Sequence, residues 1–408
     1  MPGTHGTRSI TVDCDSSTQE VAVPPSLVCK VMRQFPPIDL VAPQWRDSIV
    51  NDILALEELR YPNEGRAATH PVLFEQIRDV LQTLESVASA RIEGNRTTLA
   101  DYLDSQRGEP NPEEGFREIL NIEAAIQWIE ADAERAIDAS FVKELHRRIV
   151  EGLTREGDTN PGGYRNHAVR IAGSTHRPPA TRLDVEREMR HLLAFATTRI
   201  EPRDELLRIA LFHHRFMAIH PFGNGNGRTG RLVTYAMLLR GGYRADIGQT
   251  INPAAVFCLS RQRYYEELSN ADKFTEDGLL SWCRYLIGGI REEIVKVNQL
   301  ADLDYVRTEL LYPAIADARV MGRLTKSDEV ALSFALRELR IRNRDLQRLL
   351  NLSGPEASRL LADLRRRNLL QHDPQNSHLN FVRFSRSPLT YPLVRKMLEA
   401  GFAVPELP

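Results

Sequence analysis

The segment of the 408-residue chain with the clearest chemical potential is HPFGNGNGRTGR, which runs from His220 to Arg231. Alternate glycines run through it, and glycine is the residue that lets a backbone turn sharply and approach a ligand closely. Pro221 ends the apolar helical pattern before it, and a second helix is predicted from about Gly227. The free N–H groups and positive dipole end of that helix face the glycine loop. The segment therefore predicts an anion site that a phosphate group fits.

Charged and titratable side chains surround this predicted anion site. Arg228 and Arg231 are three positions apart on one face of the first helical turn and would add two planar cations. His220 lies at the rim, where a neutral imidazole can take a proton from an attacking hydroxyl. The alternative is a glycine-rich turn between helices with solvated arginines. The density of glycines, arginines and histidine in one short segment favours the phosphate site.

The histidines of the preceding helix raise another alternative, a zinc site. His213 and His220 are seven positions apart and share a helix face. No Asp, Glu or Cys completes a tetrahedral ligand set with them. The sequence therefore favours a packed or hydrogen-bonded role for His213.

Apolar periodicity predicts a mainly α protein, with helical spacing already present from about 45 to 100. Further helices are predicted near 116–132, 140–153, 183–199, 203–218, 227–240, 261–270 and 276–300. A turn-rich connector is expected over 105–115. The short alternating segment AVRIAG, residues 168–173, is the best candidate for a strand or hairpin. Residues from about 326 to 385 are predicted as three short helices followed by an extended pair.

Composition and charge describe ordinary globular material. The chain is 42% hydrophobic and 26% charged, and its length suggests two or three domains. A net charge of −2 argues against binding nucleic acid along the whole surface, although a local basic patch stays open. No secretory signal is visible, and no apolar stretch of roughly 18 uncharged residues spans a membrane. Four scattered cysteines indicate free thiols in a reducing cytoplasm.

The glycine-rich segment also resembles a known family signature. HPFGNGNGRTGR is similar to the motif of Fic-domain proteins, H-P-F-x-[D/E]-G-N-G-R-x-x-R, at every fixed position but one. GGYRNHAVRIAGSTHRPPA, residues 162–180, resembles the flap hairpin with which that family docks its target segment. The resemblance covers roughly residues 75 to 300. It implies a Fic-type helical core with a short β-hairpin flap.

The resemblance also implies roles for individual residues. His220 would be the general base for a Ser, Thr or Tyr hydroxyl. Gly225, Asn226 and Gly227 would line the phosphate anion hole. Arg228 and Arg231 would hold the β- and γ-phosphates of ATP. Tyr265, beside Tyr264, matches a tyrosine pair near the adenine, with a core tyrosine as the alternative. The implied reaction leaves AMP on a protein and releases pyrophosphate, which requires mainly positioning and charge stabilisation.

One position departs from the family signature. The acidic residue that holds Mg²⁺ between the phosphates is replaced by Asn224. An amide oxygen can ligate Mg²⁺ but brings no charge, so metal affinity should fall. Three outcomes are open: phosphates and water hold the metal, turnover is slow, or the reaction differs from AMP transfer.

An acidic helix end upstream resembles the inhibitory motif of the same family. The residues from Ser89 to Gly94, SARIEG, match [S/T]-x-x-x-E-[G/N]. Their place before the core resembles the subgroup whose inhibitory helix lies in the same chain. Glu93 would then pair with Arg231 and take the place of the γ-phosphate. The alternative is an exposed glutamate at a helix end.

The C-terminal segment from about 325 to 386 resembles a winged helix-turn-helix. Between Ile341 and Leu370 it has seven arginines and three acidic residues, which is basic for a near-neutral chain. DNA binding is one interpretation, and it would use Arg359, Arg365, Arg366 and Arg367. Protein docking or dimerisation is the other.

These patterns predict four segments: a flexible arm (1–25), an N-terminal helical domain with the inhibitory helix (26–105), a Fic core (106–310) and a winged helix (320–390). The predicted function is a self-inhibited, cytoplasmic protein adenylyltransferase that uses ATP and Mg²⁺. Its partners would be a protein target, the chain itself included, and, through the C-terminal module, DNA or a second copy, with no membrane. One alternative is removal of AMP from a modified protein, with Glu93 orienting a water. The other is a nucleotide-sensing, DNA-binding regulator whose catalysis is weakened at Asn224.

Overall fold

The computed structural model describes residues 35–58, 71–105, 113–171, 174–243, 254–373 and 376–402. The chain divides into two compact units, Met1–Asp39 and Leu40–Pro408, and all helices and strands named below belong to the second. The predicted arm at 1–25, most of the predicted connector, Cys14 and Cys29 lie outside the described residues. None of the described helices is long and apolar enough to cross a membrane.

The second unit is mainly α-helical, as predicted. Its first half contains α1 (Ser48–Glu58), α2 (Pro71–Ile92), α3 (Leu99–Ser105), α4 (Glu114–Glu130), α5 (Ala139–Ile149), α6 (Arg182–Thr197), α7 (Glu205–Ile219) and α8 (Asn226–Arg240). Its second half contains α9 (Ala254–Leu259), α10 (Arg261–Ala271), α11 (Glu276–Gln299), α12 (Tyr312–Val320), α13 (Lys326–Arg337), α14 (Asn343–Leu350), α15 (Gly354–Arg366) and α16 (Thr390–Glu399). The predicted helices between 116 and 300 are all present, with bounds close to those expected.

Short polar side chains fix where several of these helices begin. The Asp138 carboxylate accepts the N–H of Phe141 at the start of α5. Thr181 and Thr275 accept backbone N–H groups in the same way at the starts of α6 and α11. Each cap satisfies a donor that the first helical turn leaves without an intrahelical partner.

Helices α7 and α8 form the centre of the fold. Every residue of α8 except Arg240 is buried, and nearly every residue of α7 is buried. The flanking helices are α2, α4 and α5 on α8, and α6 and α11 on α7. Trp282 of α11 is fully buried and donates its indole N–H to the carbonyl of Ala210 at 2.6 Å. The loop between α7 and α8 is therefore held between two rigid, buried helices.

The predicted strand or hairpin at AVRIAG is absent from the described residues of that segment. Residues 162–171 and 174–180 carry no strand, since no neighbouring segment pairs with them. The chain is held at Arg165 instead, whose backbone N–H donates to the carbonyl of Pro221 at 3.0 Å. Alternating side chains alone do not make a strand when the backbone has no ladder partner.

The C-terminal segment forms the predicted three helices followed by an extended pair. After α13, α14 and α15, the strands β1 (Leu370–Asp373) and β2 (Asn376–Val382) pair antiparallel, with Leu370 opposite Val382. A single bridge also joins Ile341 to Asn380. Among the described residues, β1 and β2 form the only sheet.

This segment is attached to α2 by a buried polar contact. The Gln76 amide donates to the carbonyl of Val382 at 2.9 Å and accepts the N–H of Phe384 at 2.5 Å. Gln76 and Phe384 are almost fully buried. The Gln76 carboxamide satisfies a backbone acceptor and a backbone donor together and so fixes α2 against the C-terminal segment. A buried backbone group without a hydrogen bond would lower the stability of the fold.

Candidate functional site

The loop between α7 and α8 is shaped by two left-handed backbone positions and one side-chain clasp. His220 ends α7 with φ 51°, and Gly225 precedes α8 with φ 72°. The Asn226 carboxamide accepts the N–H of Phe222 at 2.9 Å and donates to its carbonyl at 3.0 Å. The Asn226 side chain therefore closes the loop from within, and only its backbone N–H is left to face an anion. The helix start expected near Gly227 is confirmed.

A buried arginine that sequence reasoning missed anchors the loop at its entrance. Arg165 donates through Nε to the carbonyl of His220 at 2.7 Å and through Nη2 to the carbonyl of Ile219 at 3.2 Å. Its third donor reaches the carbonyl of His167 at 2.6 Å. These bonds satisfy the free carbonyls at the end of α7. They also fix the backbone of His220 in its left-handed conformation.

Two further missed residues hold the middle of the loop. The Asp158 carboxylate accepts the N–H groups of Gly223 and Asn224 at 2.8 and 3.1 Å. His146 accepts the N–H of Gly162 at Nδ1, at 2.9 Å, so its Nε2 carries the proton and donates to the carbonyl of Asn224 at 3.1 Å. Burial lowers the pKa of His146 to about 4, which keeps this imidazole neutral. The position of residue 224 is thus fixed through its backbone.

The His220 imidazole lies half-buried at the rim of the loop. Its Nδ1 is 3.4 Å from the carbonyl of Met217, which makes Nδ1 the donor and leaves Nε2 as the acceptor. Burial lowers the pKa of His220 to about 4. The ring is therefore neutral near pH 7 and has a free lone pair, which are the properties that a general base needs.

Arg231 forms the pair with Glu93 that the family resemblance implied. Its guanidinium is fully buried and donates to the Ser89 hydroxyl at 3.0 Å, to the Ser89 carbonyl at 2.9 Å and to Glu93 Oε1 at 2.8 Å. Burial alone would raise the pKa of Glu93, but Arg231 and Arg228 bring it below its usual value. Glu93 is therefore ionised at neutral pH and is paired with Arg231.

The Glu93 carboxylate lies at the N-terminus of α8. A Cβ added at Gly227 would clash with Glu93 Oε1, so a side chain at position 227 would require the Glu93 carboxylate to shift. The carboxylate thus occupies space beside the backbone that the sequence predicted as the anion hole. An anion at the positive end of a helix is favourably placed.

Arg228 lies in a different environment from Arg231. It is fully buried, and its Nη1 is 2.8 Å from Glu118 Oε1, while its Nη2 donates to the carbonyl of Glu156 at 2.8 Å. Glu118 also accepts the Asn95 amide at 2.7 Å, and burial raises the pKa of Glu118 against the effect of Arg228. The structure therefore gives Arg228 a carboxylate partner that the sequence did not suggest. Its role toward phosphates stays a prediction.

The residues at the expected metal position supply little charge. The Asn224 carboxamide oxygen accepts the N–H of Gly225 at 2.7 Å. Within the described parts of the chain, no three His, Cys, Asp or Glu side chains form a group that could hold a metal ion. Mg²⁺ is commonly bound by one or two protein oxygens together with phosphates and water. The donor set fits a Mg²⁺ ion that arrives with a nucleotide, and does not fit one held by the protein alone.

The tyrosine pair divides into a core residue and an exposed one. Tyr264 is fully buried, and its hydroxyl is 3.0 Å from His213 Nε2, while His213 Nδ1 is 2.8 Å from the Thr234 hydroxyl. His213 is thus the packed, hydrogen-bonded histidine that the sequence favoured. Tyr265 is 37% exposed, and its ring is 5.2 Å from that of Tyr264. Tyr265 is therefore the member of the pair that is accessible from solvent.

This geometry agrees with comparisons to known proteins. Residues 136–238 match the model of the Fic/DOC family. This segment of the chain is therefore similar to a Fic domain. Proteins named "Protein adenylyltransferase Fic" from Nematostella vectensis and Drosophila melanogaster are each 30% identical to it over 45% of the chain. The chain covers 42% and 36% of those two relatives, so it spans less than half of their length.

A solved structure extends the likeness beyond the Fic domain. A Fic family protein from Desulfovibrio desulfuricans G20 superposes with a TM-score of 0.50 and 20% identity. The match covers 86% of this chain and 98% of that one. At this identity the likeness concerns the fold, and it confirms the mainly helical Fic architecture predicted from the sequence.

Proposed function

We propose that the chain is a self-inhibited cytoplasmic protein adenylyltransferase, which moves AMP from ATP to a Ser, Thr or Tyr hydroxyl of a protein. The observation that carries the proposal is the position of the Glu93 carboxylate. It lies near the neutral His220, at the N-terminus of α8, and is paired with Arg231. A site that holds a carboxylate in this way can also hold a phosphate. The names of the relatives support AMP transfer as the reaction.

The arrangement assigns a proton path for the reaction. The acceptor hydroxyl oxygen forms a bond to the α-phosphorus of ATP while His220 Nε2 takes its proton. The bond between the α-phosphorus and the oxygen that bridges to the β-phosphorus breaks, and pyrophosphate leaves. The N–H groups of Asn226 and Gly227 at the start of α8 would stabilise the charge that develops on the phosphate oxygens. The N–H of Gly225 would join them once it is released from the Asn224 carboxamide. Mg²⁺, when bound with ATP, would neutralise part of the charge on the phosphates.

The same assignment explains why the enzyme would be inhibited at rest. The Glu93 carboxylate engages Arg231, the cation expected to bind the γ-phosphate. ATP could then bind only with its γ-phosphate displaced, in a pose where the α-phosphorus does not face the attacking hydroxyl. Release of Glu93 would free Arg231 and the space beside Gly227 together.

The test of the activity is the transfer of radiolabel from ATP. The wild type and the Glu93→Gly variant are incubated with Mg²⁺, a cell lysate and either [α-³²P]ATP or [γ-³²P]ATP. AMP transfer labels protein from the α-labelled nucleotide only. Label from [γ-³²P]ATP alone would indicate phosphoryl transfer, and no label from either would contradict the proposal.

Asn224 provides a prediction about the metal. Asn224→Asp places a charged oxygen at the family's metal position, so it should lower the Mg²⁺ concentration required for half-maximal labelling. The measurement is a Mg²⁺ titration of labelling, together with ATP affinity with and without Mg²⁺. Asn160→Asp, which adds the same charge in the neighbouring loop, is the control. Identical Mg²⁺ dependence in Asn224→Asp and wild type would show that position 224 does not contact the ion.

A second proposal concerns the C-terminal module, which we assign as a winged helix that binds DNA. The structure separates its arginines into two groups. Arg367 pairs with the buried Asp328 and donates to the carbonyl of Arg323, so it supports the fold. Between residues 341 and 370, the exposed arginines are Arg344, Arg348, Arg359 and Arg366. The side chains of Arg344 and Arg366 are 64% and 79% exposed, which leaves them accessible to a phosphate backbone.

The DNA proposal is tested by the salt dependence of binding to duplex DNA. The double variant Arg344→Gln/Arg366→Gln should reduce the slope of log affinity against log salt by about 0.9 for each phosphate that the two arginines neutralise in the wild type. Arg182→Gln, which removes the same kind of charge from the exposed face of α6, should leave the slope unchanged. No mobility shift of the wild type at low salt would favour protein docking instead.

A further inference from the structure

A cleft separate from the segment from His220 to Arg231 (the Fic loop) lies at the C-terminal end of α2. It has a volume of about 730 Å³ and is lined by residues from three segments, 91–96, 258–262 and 398–402. None of its lining residues belongs to the loop from His220 to Arg231. The volume is in the usual range for small-molecule sites, roughly 300–1,000 Å³. The cleft joins the end of α2, the junction of α9 with α10, and the end of α16.

The charge in this cleft has one sign. Its described lining includes Arg91, Arg96 and Arg261 but no aspartate or glutamate, although the chain as a whole has slightly more acidic than basic residues. Arg96 and Arg261 are exposed and, within the described residues, form no ion pair. Ser260 caps the N-terminus of α10 at the same place. Planar guanidinium groups beside a helix N-terminus match the oxygens of a phosphate.

The same cleft exposes apolar side chains. Leu259 and Leu398 are 52% and 43% exposed, although they line a concave surface. Beside them, the Arg261 guanidinium lies 5.6 Å from the ring centre of the exposed Tyr265. Large apolar side chains that face solvent together indicate a binding surface when they lie in a cleft. A ligand that covers them needs an apolar part.

We propose that this cleft binds a small ligand of the nucleotide class. Its phosphates would pair with Arg96 and Arg261, and its base would cover Leu259 and Leu398. None of the residues that line the cleft belongs to the Fic loop, and the proposal does not depend on AMP transfer. Because Arg91 and Gly94 lie on either side of Glu93 in the chain, the ligand would contact the end of the helix that carries Glu93.

Cys258 gives a readout that is confined to the cleft. It lines the cleft and is partly exposed, whereas Cys283 is buried. The full-length protein is treated with iodoacetamide with and without ADP or GDP, and modification of each cysteine peptide is followed by mass spectrometry. At least one nucleotide should slow modification of Cys258 and leave that of Cys283 unchanged. The Arg231→Ala protein is tested in parallel, so that occupancy of the Fic loop is separated from occupancy of the cleft.

Three comparisons decide the outcome. The double variant Arg96→Gln/Arg261→Gln should lose the protection, while Arg182→Gln, the control on α6, should keep it. Inorganic pyrophosphate should protect less than the nucleotide, because it lacks the base. The proposal is overturned if neither nucleotide protects Cys258, if protection disappears in Arg231→Ala but survives in Arg96→Gln/Arg261→Gln, or if pyrophosphate protects equally well. None of these results depends on whether the chain transfers AMP.

Discussion

His220→Ala should reduce the rate of AMP transfer by about 10²–10⁴-fold, the range for loss of a general base. The ring is neutral, and its Nε2 is free of hydrogen bonds to the described residues. The segment from His220 to Arg231 contains no other side chain that can accept a proton near neutral pH. ATP binding should be nearly unchanged, because Arg231 and the start of α8 are intact in this variant. The rate is best measured in a Glu93→Gly background with [α-³²P]ATP, and affinity is measured separately by equilibrium binding.

The pH profile provides an independent check of the same role. The pKa of His220 is lowered to about 4, so the imidazole is unprotonated above that value and can accept a proton throughout the neutral range. The transfer rate should therefore fall only as the pH approaches about 4 from above. His167→Ala, which removes an exposed histidine from the neighbouring segment, is the matched control and should behave as the parent. Labelling by His220→Ala at the parent rate would refute the mechanism.

The elements that carry the site were predictable because their signals are local. The start of α8 follows from glycines and a proline that interrupt two apolar periodic segments, and the observed start at Asn226 differs by one residue from the expected one. The Glu93–Arg231 pair was predictable only through the family resemblance, since 138 positions separate its members. Periodicity indicates which face of a helix is buried, and does not indicate which helix it meets.

The residues missed by the sequence analysis act through contacts between distant segments. Asp158 and Arg165 lie in a loop without regular structure, and their partners are backbone groups of the Fic loop. Backbone partners leave no pattern in the sequence, so no side-chain motif could have revealed them. Asn226 is a different case, because its bonds to Phe222 are local. The family resemblance placed Asn226 in the anion hole and did not indicate that its side chain closes the loop.

Glu93→Gly should raise autolabelling by orders of magnitude, because the substitution changes two features of the site at once. The Glu93 carboxylate is the one acidic group bonded to Arg231 in the described residues, and it lies against Gly227 at the start of α8. Removing it frees the guanidinium and the space at the helix N-terminus at once. ATP should also bind more tightly, because an intramolecular anion no longer competes with its γ-phosphate.

The control and the double variant separate this mechanism from simple loosening of α2. Glu75→Gly, an exposed position on the same helix, should leave labelling at the wild-type rate. Arg231→Ala should be inactive with or without Glu93, so the double variant must match the Arg231 single variant if Glu93 acts through that arginine. Labelling by Glu93→Gly at the wild-type rate would leave Glu93 as an ordinary helix end. If Glu93→Gly instead loses the ability to release AMP from a modified protein, the carboxylate orients a water, and removal of AMP replaces its transfer as the principal reaction.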